Sequence, residues 1–164
     1  MEFWVAILTI SDKGSKGERE DSSGPLIKEM IKDLPSRVIF YEIIPDEKEK
    51  IAEELKRCAD YLKADLILTT GGTGVSPRDV TPDATLEVID KEVPGFSEAM
   101  RAESLKKTPH AMISRAVAGI RKSTLIINLP GSPKGVRENL NVILPALPHA
   151  LSKLKGDPTE CAQE

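Results

Sequence analysis

Between Leu66 and Thr85 the chain runs LILTTGGTGVSPRDVTPDAT, and few folds can accommodate that order of residues. Leu66-Ile67-Leu68 is apolar and uncharged, the pattern of a strand covered on both faces. Gly71-Gly72-Thr73-Gly74 follows, with three glycines that admit dihedrals closed to other residues and let a ligand approach the backbone. Asp79 then leads into Thr81-Pro82, which reads as a helix N-cap followed by proline in the first helical position. Strand, glycine turn, acid and helix start in close succession are how open α/β sheets build sites beyond the carboxyl ends of their strands.

The flanking sequence supplies the rest of such a sheet. Phe3 to Ile10 is an apolar run with β-branched members, and Val38 to Ile44 is a second strand that ends at Pro45-Asp46-Glu47. Between them, helical spacing of Leu26, Ile27, Met30, Ile31 and Leu34 predicts a helix from about Pro25 to Asp33. Ile51, Leu55, Cys58 and Leu62 form the apolar stripe of the next helix. The order β-α-β-α-β is that of a mostly parallel sheet with crossover helices. Beyond Pro82 a helix is expected to about Lys91, and another from Pro94-Gly95 through Met100 to Leu105, ending near Thr108-Pro109. Ala116–Ile120 and Thr124–Leu129 read as an antiparallel hairpin at the sheet edge. The stripe from Val136 to Leu154 is helical, with Pro145 and Pro148 expected to split or kink it. A single domain over residues 1–156 and a frayed polar tail over 157–164 are expected.

Several function classes fall away at this point. A net charge of −3 with no Lys/Arg-rich block argues against nucleic-acid binding. No apolar stretch approaches a membrane span and no signal-peptide pattern opens the chain, so the expected location is the cytoplasm. Cys58 and Cys161 are too few and too far apart for a disulfide framework or a zinc site. His110 and His149 are isolated, without triad or metal-ligand spacing. No lysine follows Gly74 and no GxGxxG follows the first strand, which excludes the two commonest phosphate loops.

If the strands are parallel, three junctions crowd together on one edge: Ser11 to Gly17, Gly71 to Gly74, and Pro130-Gly131-Ser132. Asp46 follows Pro45 and precedes a helix with Glu49 three residues on. That spacing favours a capping box, although a cap there also stands on the site edge. Asp79 lies two residues ahead of Thr81, so capping does not need it, and Arg78 beside it is a local partner. Asp83 in the first helical turn is sufficiently explained by the helix dipole. Arg78, Arg101, Arg115 and Arg121 are each either anion-recognition residues or ordinary surface residues.

TTGGTG followed by RDVTPDAT, with LTISD at Leu8–Asp12, EDSSG at Glu20–Gly24, IIPDE at Ile43–Glu47, the long run from Ser104 to Gly135 and LPALPHAL at Leu144–Leu151, resembles the molybdopterin adenylyltransferase family. That family includes MogA- and MoaB-type proteins and the N-terminal domain of gephyrin. The resemblance implies a three-layer α/β/α fold, usually assembled as a homotrimer. It implies transfer of AMP from ATP to the terminal phosphate of molybdopterin, with Mg²⁺ and release of pyrophosphate. It maps the essential acids onto Asp46 and Asp79, which reverses the preference for Asp46 as a cap, and implies both as Mg²⁺ ligands. It also makes Ser11, Asp21, Ser23, Gly24, Gly71, Gly72, Thr73, Gly74, Arg78, Pro130, Gly131 and Ser132 the expected cradle for nucleotide and pterin phosphates. A hand-over to a molybdenum-insertion protein would follow. The rival expectations are a non-catalytic molybdopterin-binding or scaffolding protein, and a nucleotide pyrophosphatase of the same fold.

Overall fold

The apolar runs become the central strands of the computed structural model, which describes residues 1–161. The end of the expected polar tail, residues 162–164, lies outside the described residues. β1 (Phe3–Ile10), β3 (Leu66–Thr70) and β6 (Thr124–Leu129) are buried almost end to end. Alternate side chains enter opposite layers, as the two-residue period of a strand requires. Val5, Ile7, Leu66, Leu68, Leu125 and Ile127 enter one core; Ala6, Leu8, Ile67 and Ile126 enter the other. The first core is covered by α2 (Ser23–Met30), α5 (Pro94–Leu105), α6 (Pro133–Ile143) and α7 (Leu147–Leu154), through Ile27, Met100, Leu140 and Leu151. The second is covered by α3 (Lys48–Lys56) and α4 (Thr81–Val88), through Ile51, Leu55, Ala84 and Val88. The result is a three-layer α/β/α sandwich.

Strand order across the sheet is β2 (Ser36–Ile44), β1, β3, β6, β5 (Ala118–Arg121), β4 (Lys91–Glu92). The first four are parallel, and β5 and β4 add antiparallel to one edge. β1 lies between β2 and β3, and the crossovers to them run on opposite faces, α2 on one and α3 on the other. Such a reversal opens a crevice at the carboxyl ends of the strands. This topology places the site.

Two expectations change here. The helix begun at Thr81 stops at Val88, and Lys91–Glu92 forms a short edge strand against β5, Lys91 opposite Ile120. Two exposed charged residues carry no apolar alternation, so only the backbone partner reveals them as strand. The expected hairpin forms, yet β6 sits inside the sheet beside β3 and the outer edge belongs to β4. Pro145 and Pro148 act as anticipated: a 3₁₀ turn, Leu144–Ala146, separates α6 from α7. No helix among the described residues is long and apolar enough to cross a membrane.

Buried polar groups fix how the layers meet. Asn128 is fully buried; its amide donates to Thr69 Oγ1 at 2.9 Å and Thr85 Oγ1 at 3.0 Å, and its carbonyl accepts from Val117 N at 3.2 Å. At the opposite end of the sheet from the crevice, Arg121 donates to Asp60 Oδ1 at 3.0 Å, Asp60 Oδ2 at 2.8 Å and the Val88 carbonyl at 2.8 Å. Arg121 is therefore a structural clasp rather than an anion-recognition residue of the crevice.

The Arg121 guanidinium, helped by Lys122, holds the Asp60 carboxyl at about 2, below its ordinary 3.8. A depressed carboxylate stabilises the fold above its unfolded-state value and loses that contribution as pH falls through its folded value. Arg121→Met should therefore cost about 1–2 kcal/mol in urea melts at pH 7. The gap to wild type should close as pH falls from 3.8 toward about 2.

Candidate functional site

Four parallel strands end on one edge and release the chain into Ser11-Asp12, Pro45-Asp46, Gly71-Gly72 and Pro130-Gly131. The turn after β3 needs its glycines. Gly71 and Gly72 have φ of +102° and +68°, in the left-handed region. A Cβ on Gly71 would stand 2.3 Å from the Ile10 carbonyl oxygen. One on Gly72 would stand 2.3 Å from Thr81 Oγ1 and 3.1 Å from Asp46 Oδ1. One on Gly74 would stand 2.9 Å from Asp79 Oδ2. The glycine loop thus lies against both acids, Gly72 beside Asp46 and Gly74 beside Asp79.

The third loop is bound to the second. Thr70 Oγ1 donates to the Pro130 carbonyl at 2.6 Å, Gly71 N to the Leu129 carbonyl at 3.2 Å, and Ser23 Oγ to the Gly131 carbonyl at 2.8 Å. Arg115 ties the far side of the glycine loop: it donates to the Gly74 carbonyl at 2.9 Å and the Asp79 carbonyl at 2.6 Å, and pairs with Asp83 at 3.0 Å. Arg101 is likewise spent on backbone, 2.8 Å from the Ala116 carbonyl. Asp83, assigned from sequence to the helix dipole, has Arg115 as its partner, which holds its carboxyl below the usual range.

A cavity of about 600 Å³ opens between these loops. Of the residues expected from sequence, Ser11, Asp21, Ser23, Asp46, Gly71, Gly72, Asp79, Gly131 and Ser132 line it. Thr73, Gly74 and Pro130 line a second cavity of about 360 Å³, whose wall Ser132 shares with the first. That second cavity reaches under α5, where the buried Ser97 hydroxyl has no hydrogen-bond partner among the described residues. Gly24 and Arg78 line neither.

Several side chains have duties that local spacing does not show. Asp46 does not cap α3: Glu47 holds the N-cap position, and no side chain caps it. Instead Asp46 Oδ2 accepts from Asp12 N at 2.9 Å, while Asp12 Oδ1 accepts from Asp46 N at 3.0 Å. Arg78 forks onto Asp12, Nε to Oδ2 at 3.0 Å and Nη2 to Oδ1 at 2.9 Å. Its Nε/Nη2 edge is thereby committed to a carboxylate. Thr81 does not cap α4 either; Val80 takes that position, and the Thr81 hydroxyl is buried without a partner among the described residues. Asp21 accepts from Ser23 N at 3.1 Å and Gly24 N at 3.3 Å, which caps α2, and also from Thr9 Oγ1 and the Tyr41 hydroxyl. The Ser11 and Ser132 hydroxyls cap α1 (Asp12–Ser15) and α6, accepting from Gly14 N at 2.9 Å and Gly135 N at 3.0 Å.

Asp12, Thr70, Lys13 and Arg19 also line the larger cavity, and the sequence reading does not select them. For Asp12 a signal exists: an acid two residues past the end of a parallel strand, the same placement as Asp46.

The electrostatics are lopsided. Burial pushes the Asp46 carboxyl up, and the negative charges of Asp12 and Asp79 add to this against the Asp12 N–H. Arg78 holds Asp12 below its ordinary value. Asp12 is thus paired with an arginine, whereas neither Asp46 nor Asp79 forms an ion pair among the described residues. Among the described residues no three acidic, His or Cys side chains gather into a metal cage. Mg²⁺ commonly takes only one or two carboxylates and completes its shell with water and substrate phosphate. Asp46 Oδ1 accepts no hydrogen bond among the described residues, so the donor set fits Mg²⁺ of that kind.

A sequence profile described as a probable molybdopterin binding domain matches residues 6–149. The chain belongs to that family. The molybdopterin adenylyltransferase of Helicobacter pylori (strain ATCC 700392 / 26695) is 45% identical over 155 residues, covering 93% of this chain and 88% of the relative. The molybdopterin biosynthesis enzyme MoaB of Thermus thermophilus superposes with a TM-score of 0.90 at 54% identity, covering 96% of this chain and 99% of that one. The tungsten cofactor synthesizing protein MoaB of Pyrococcus furiosus superposes with a TM-score of 0.82 at 38% identity, covering 93% and 97%. Both superposed structures thus match this chain over nearly its whole length, the sheet and its three loops falling within the matched span.

Two substitutions test the loop. Thr81→Val should leave stability within about 0.5 kcal/mol of wild type or raise it, because it deletes an unpartnered buried hydroxyl. A true cap would cost about 1 kcal/mol. Gly72→Ala should cost about 2–4 kcal/mol by thermal or urea melts, from backbone strain together with the clash on Thr81. Combining it with Thr81→Ala should recover part of that loss, the part owed to Oγ1.

Proposed function

We propose that this protein is a molybdopterin adenylyltransferase, acting in the cytoplasm and taking ATP and molybdopterin as substrates. The observation that carries the reading is the placing of two acids without an ion pair among the described residues, Asp46 and Asp79, against one glycine loop at converging strand ends. The named relatives, similar over most of their length, support the same chemistry.

The attacking group is the terminal phosphate monoester of molybdopterin, which is anionic at neutral pH and needs no general base. An oxygen of that phosphate bonds to the α-phosphorus of ATP, the bond to the β-phosphate oxygen breaks, and pyrophosphate leaves with the electron pair. Catalysis is then a matter of in-line positioning and charge neutralisation. The larger cavity is assigned to the nucleotide phosphates and the smaller one to the pterin. The shared wall at Ser132 is where the two phosphates would meet. Asp46 and Asp79 would hold Mg²⁺, which supplies positive charge to the phosphates as negative charge redistributes. Gly71 to Gly74 and Gly131 let the phosphates approach the backbone without side-chain obstruction. Ser11, Asp21, Ser23 and Ser132 keep the walls of the cavity in place through the caps and cross-loop bonds described above.

The reading extends to a homotrimer and to delivery of the adenylylated product to a metal-insertion protein of a molybdenum or tungsten pathway. Met112 and Ile113 stand 70% and 53% exposed, apolar area of the kind such assembly covers.

Asp46→Asn and Asp79→Asn should each keep the wild-type fold by circular dichroism and lower AMP transfer by at least about 100-fold. Incubation with ATP, Mg²⁺ and molybdopterin should give pterin-dependent pyrophosphate release. Hydrolysis of ATP without pterin would point to a pyrophosphatase instead, and tight pterin binding with no turnover would point to a binding protein. Wild-type rates in either variant would remove that acid from the mechanism.

A further inference from the structure

Both carboxylate oxygens and the backbone N–H of Asp12 are engaged, although the reaction above gives that residue no task. Its neighbour explains why. Ile10 and Ile44 are register partners in the parallel β1–β2 pair, so Asp12 and Asp46, each two residues further on, arrive side by side. The ladder continues one step past the strands, through Ser11 N to the Ile44 carbonyl at 2.8 Å, before the two acids exchange their N–H groups. Each carboxylate accepts the other residue's backbone N–H, at 2.9 Å and 3.0 Å.

The exchange has a direction. It occupies Oδ2 of Asp46 and leaves Oδ1, the oxygen beside Gly72, without a hydrogen bond among the described residues. It thereby selects which oxygen faces the glycine loop. Two adjacent carboxylates repel, and the fork from Arg78 offsets the charge on Asp12 without touching Asp46. The fork also spans from the β1 loop to the segment that carries Asp79, so one guanidinium holds the two halves of the acid pair in register.

We propose that Asp12 is a positioning residue for Asp46 and that Arg78 is its clamp, not a ligand of the nucleotide. The proposal rests on the adenylyltransferase reading. Asp12 acts through Asp46, so its loss changes turnover rather than substrate affinity, and matters only while Asp46 is intact.

The decisive experiment is a double-mutant cycle with long single-turnover incubations. Asp12→Ala should lower kcat about 10–100-fold with KM for MgATP within about threefold of wild type, and calorimetric affinity for the nucleotide should follow KM. On an Asp46→Asn background the same substitution should cost less than about threefold, because the carboxylate that Asp12 positions is already gone. Arg78→Ala should move kcat in the same direction by a smaller factor. Arg78→Lys, which keeps the charge and loses the fork, should fall between it and wild type. Asp12→Asn keeps an acceptor for Asp46 N and supplies the cycle if the alanine variant fails to fold. Full multiplicative losses in the double variant would overturn the proposal, as would an Arg78→Ala variant with a roughly tenfold higher KM for ATP and unchanged kcat. Absence of transfer by the wild-type protein would overturn the adenylyltransferase reading itself, and so is distinguishable from either.

Discussion

The passage of the backbone at Gly71 past the Ile10 carbonyl is the contact on which the site depends. β3 emerges from the middle of the sheet with every residue buried, so the chain cannot leave sideways without exposing apolar surface. It turns in the left-handed region at two successive residues, directly against the end of β1. With no side chain in the way, the ends of β1, β3 and β6 close to within touching distance, and the loops after them share one wall. A chain held away from Ile10 by one methyl group would place Gly72 away from Asp46 and Gly131 away from Gly71. The crevice follows from strand order, but its narrowness follows from these glycines.

Charge is distributed around the crevice by a division of labour among arginines. Arg78 neutralises Asp12, Arg115 neutralises Asp83 while gripping the glycine loop, and Arg121 neutralises Asp60 at the other end of the sheet. Each of these guanidinium groups is matched to a carboxylate other than Asp46 and Asp79. Asp46 and Asp79 remain without an ion pair among the described residues, on the wall of the larger cavity. On the adenylyltransferase reading, these acids would be the point where a divalent cation accompanies the nucleotide, with Lys13 and Arg19 on the same wall.

Much of this is legible in the order of residues. The β-α-β-α-β start, the buried strands, the broken C-terminal helix and the crowding of three loops all follow from hydrophobic period and from proline and glycine placement. The departures share a cause. Spacing presents Asp46 and Thr81 as caps because it reports only neighbours along the chain. Asp46 is held by a residue 34 positions away, and the Thr81 hydroxyl turns inward instead of toward its own helix. Arg78 looks available because its partner, Asp12, lies 66 positions earlier. β4 is invisible because two exposed charged residues become a strand only when another strand offers them hydrogen bonds. Family resemblance and the structure both move Asp46 away from the cap, but resemblance does not supply the Asp12–Arg78 arrangement.

The buried Asn128 bears on how such a sheet avoids mispairing. β1, β3 and β6 are nearly interchangeable runs of aliphatic residues, and aliphatic contacts alone would accept a slip of two residues almost as readily as the native alignment. A slip of that size carries the Asn128 amide away from Thr69, Thr85 and Val117 and strands it in a dry layer. A buried amide bonded to three separate segments therefore works like the notch on a key: it adds little grip of its own, yet only one insertion depth is free of penalty. The loops after β3 and β6 inherit their alignment from that notch.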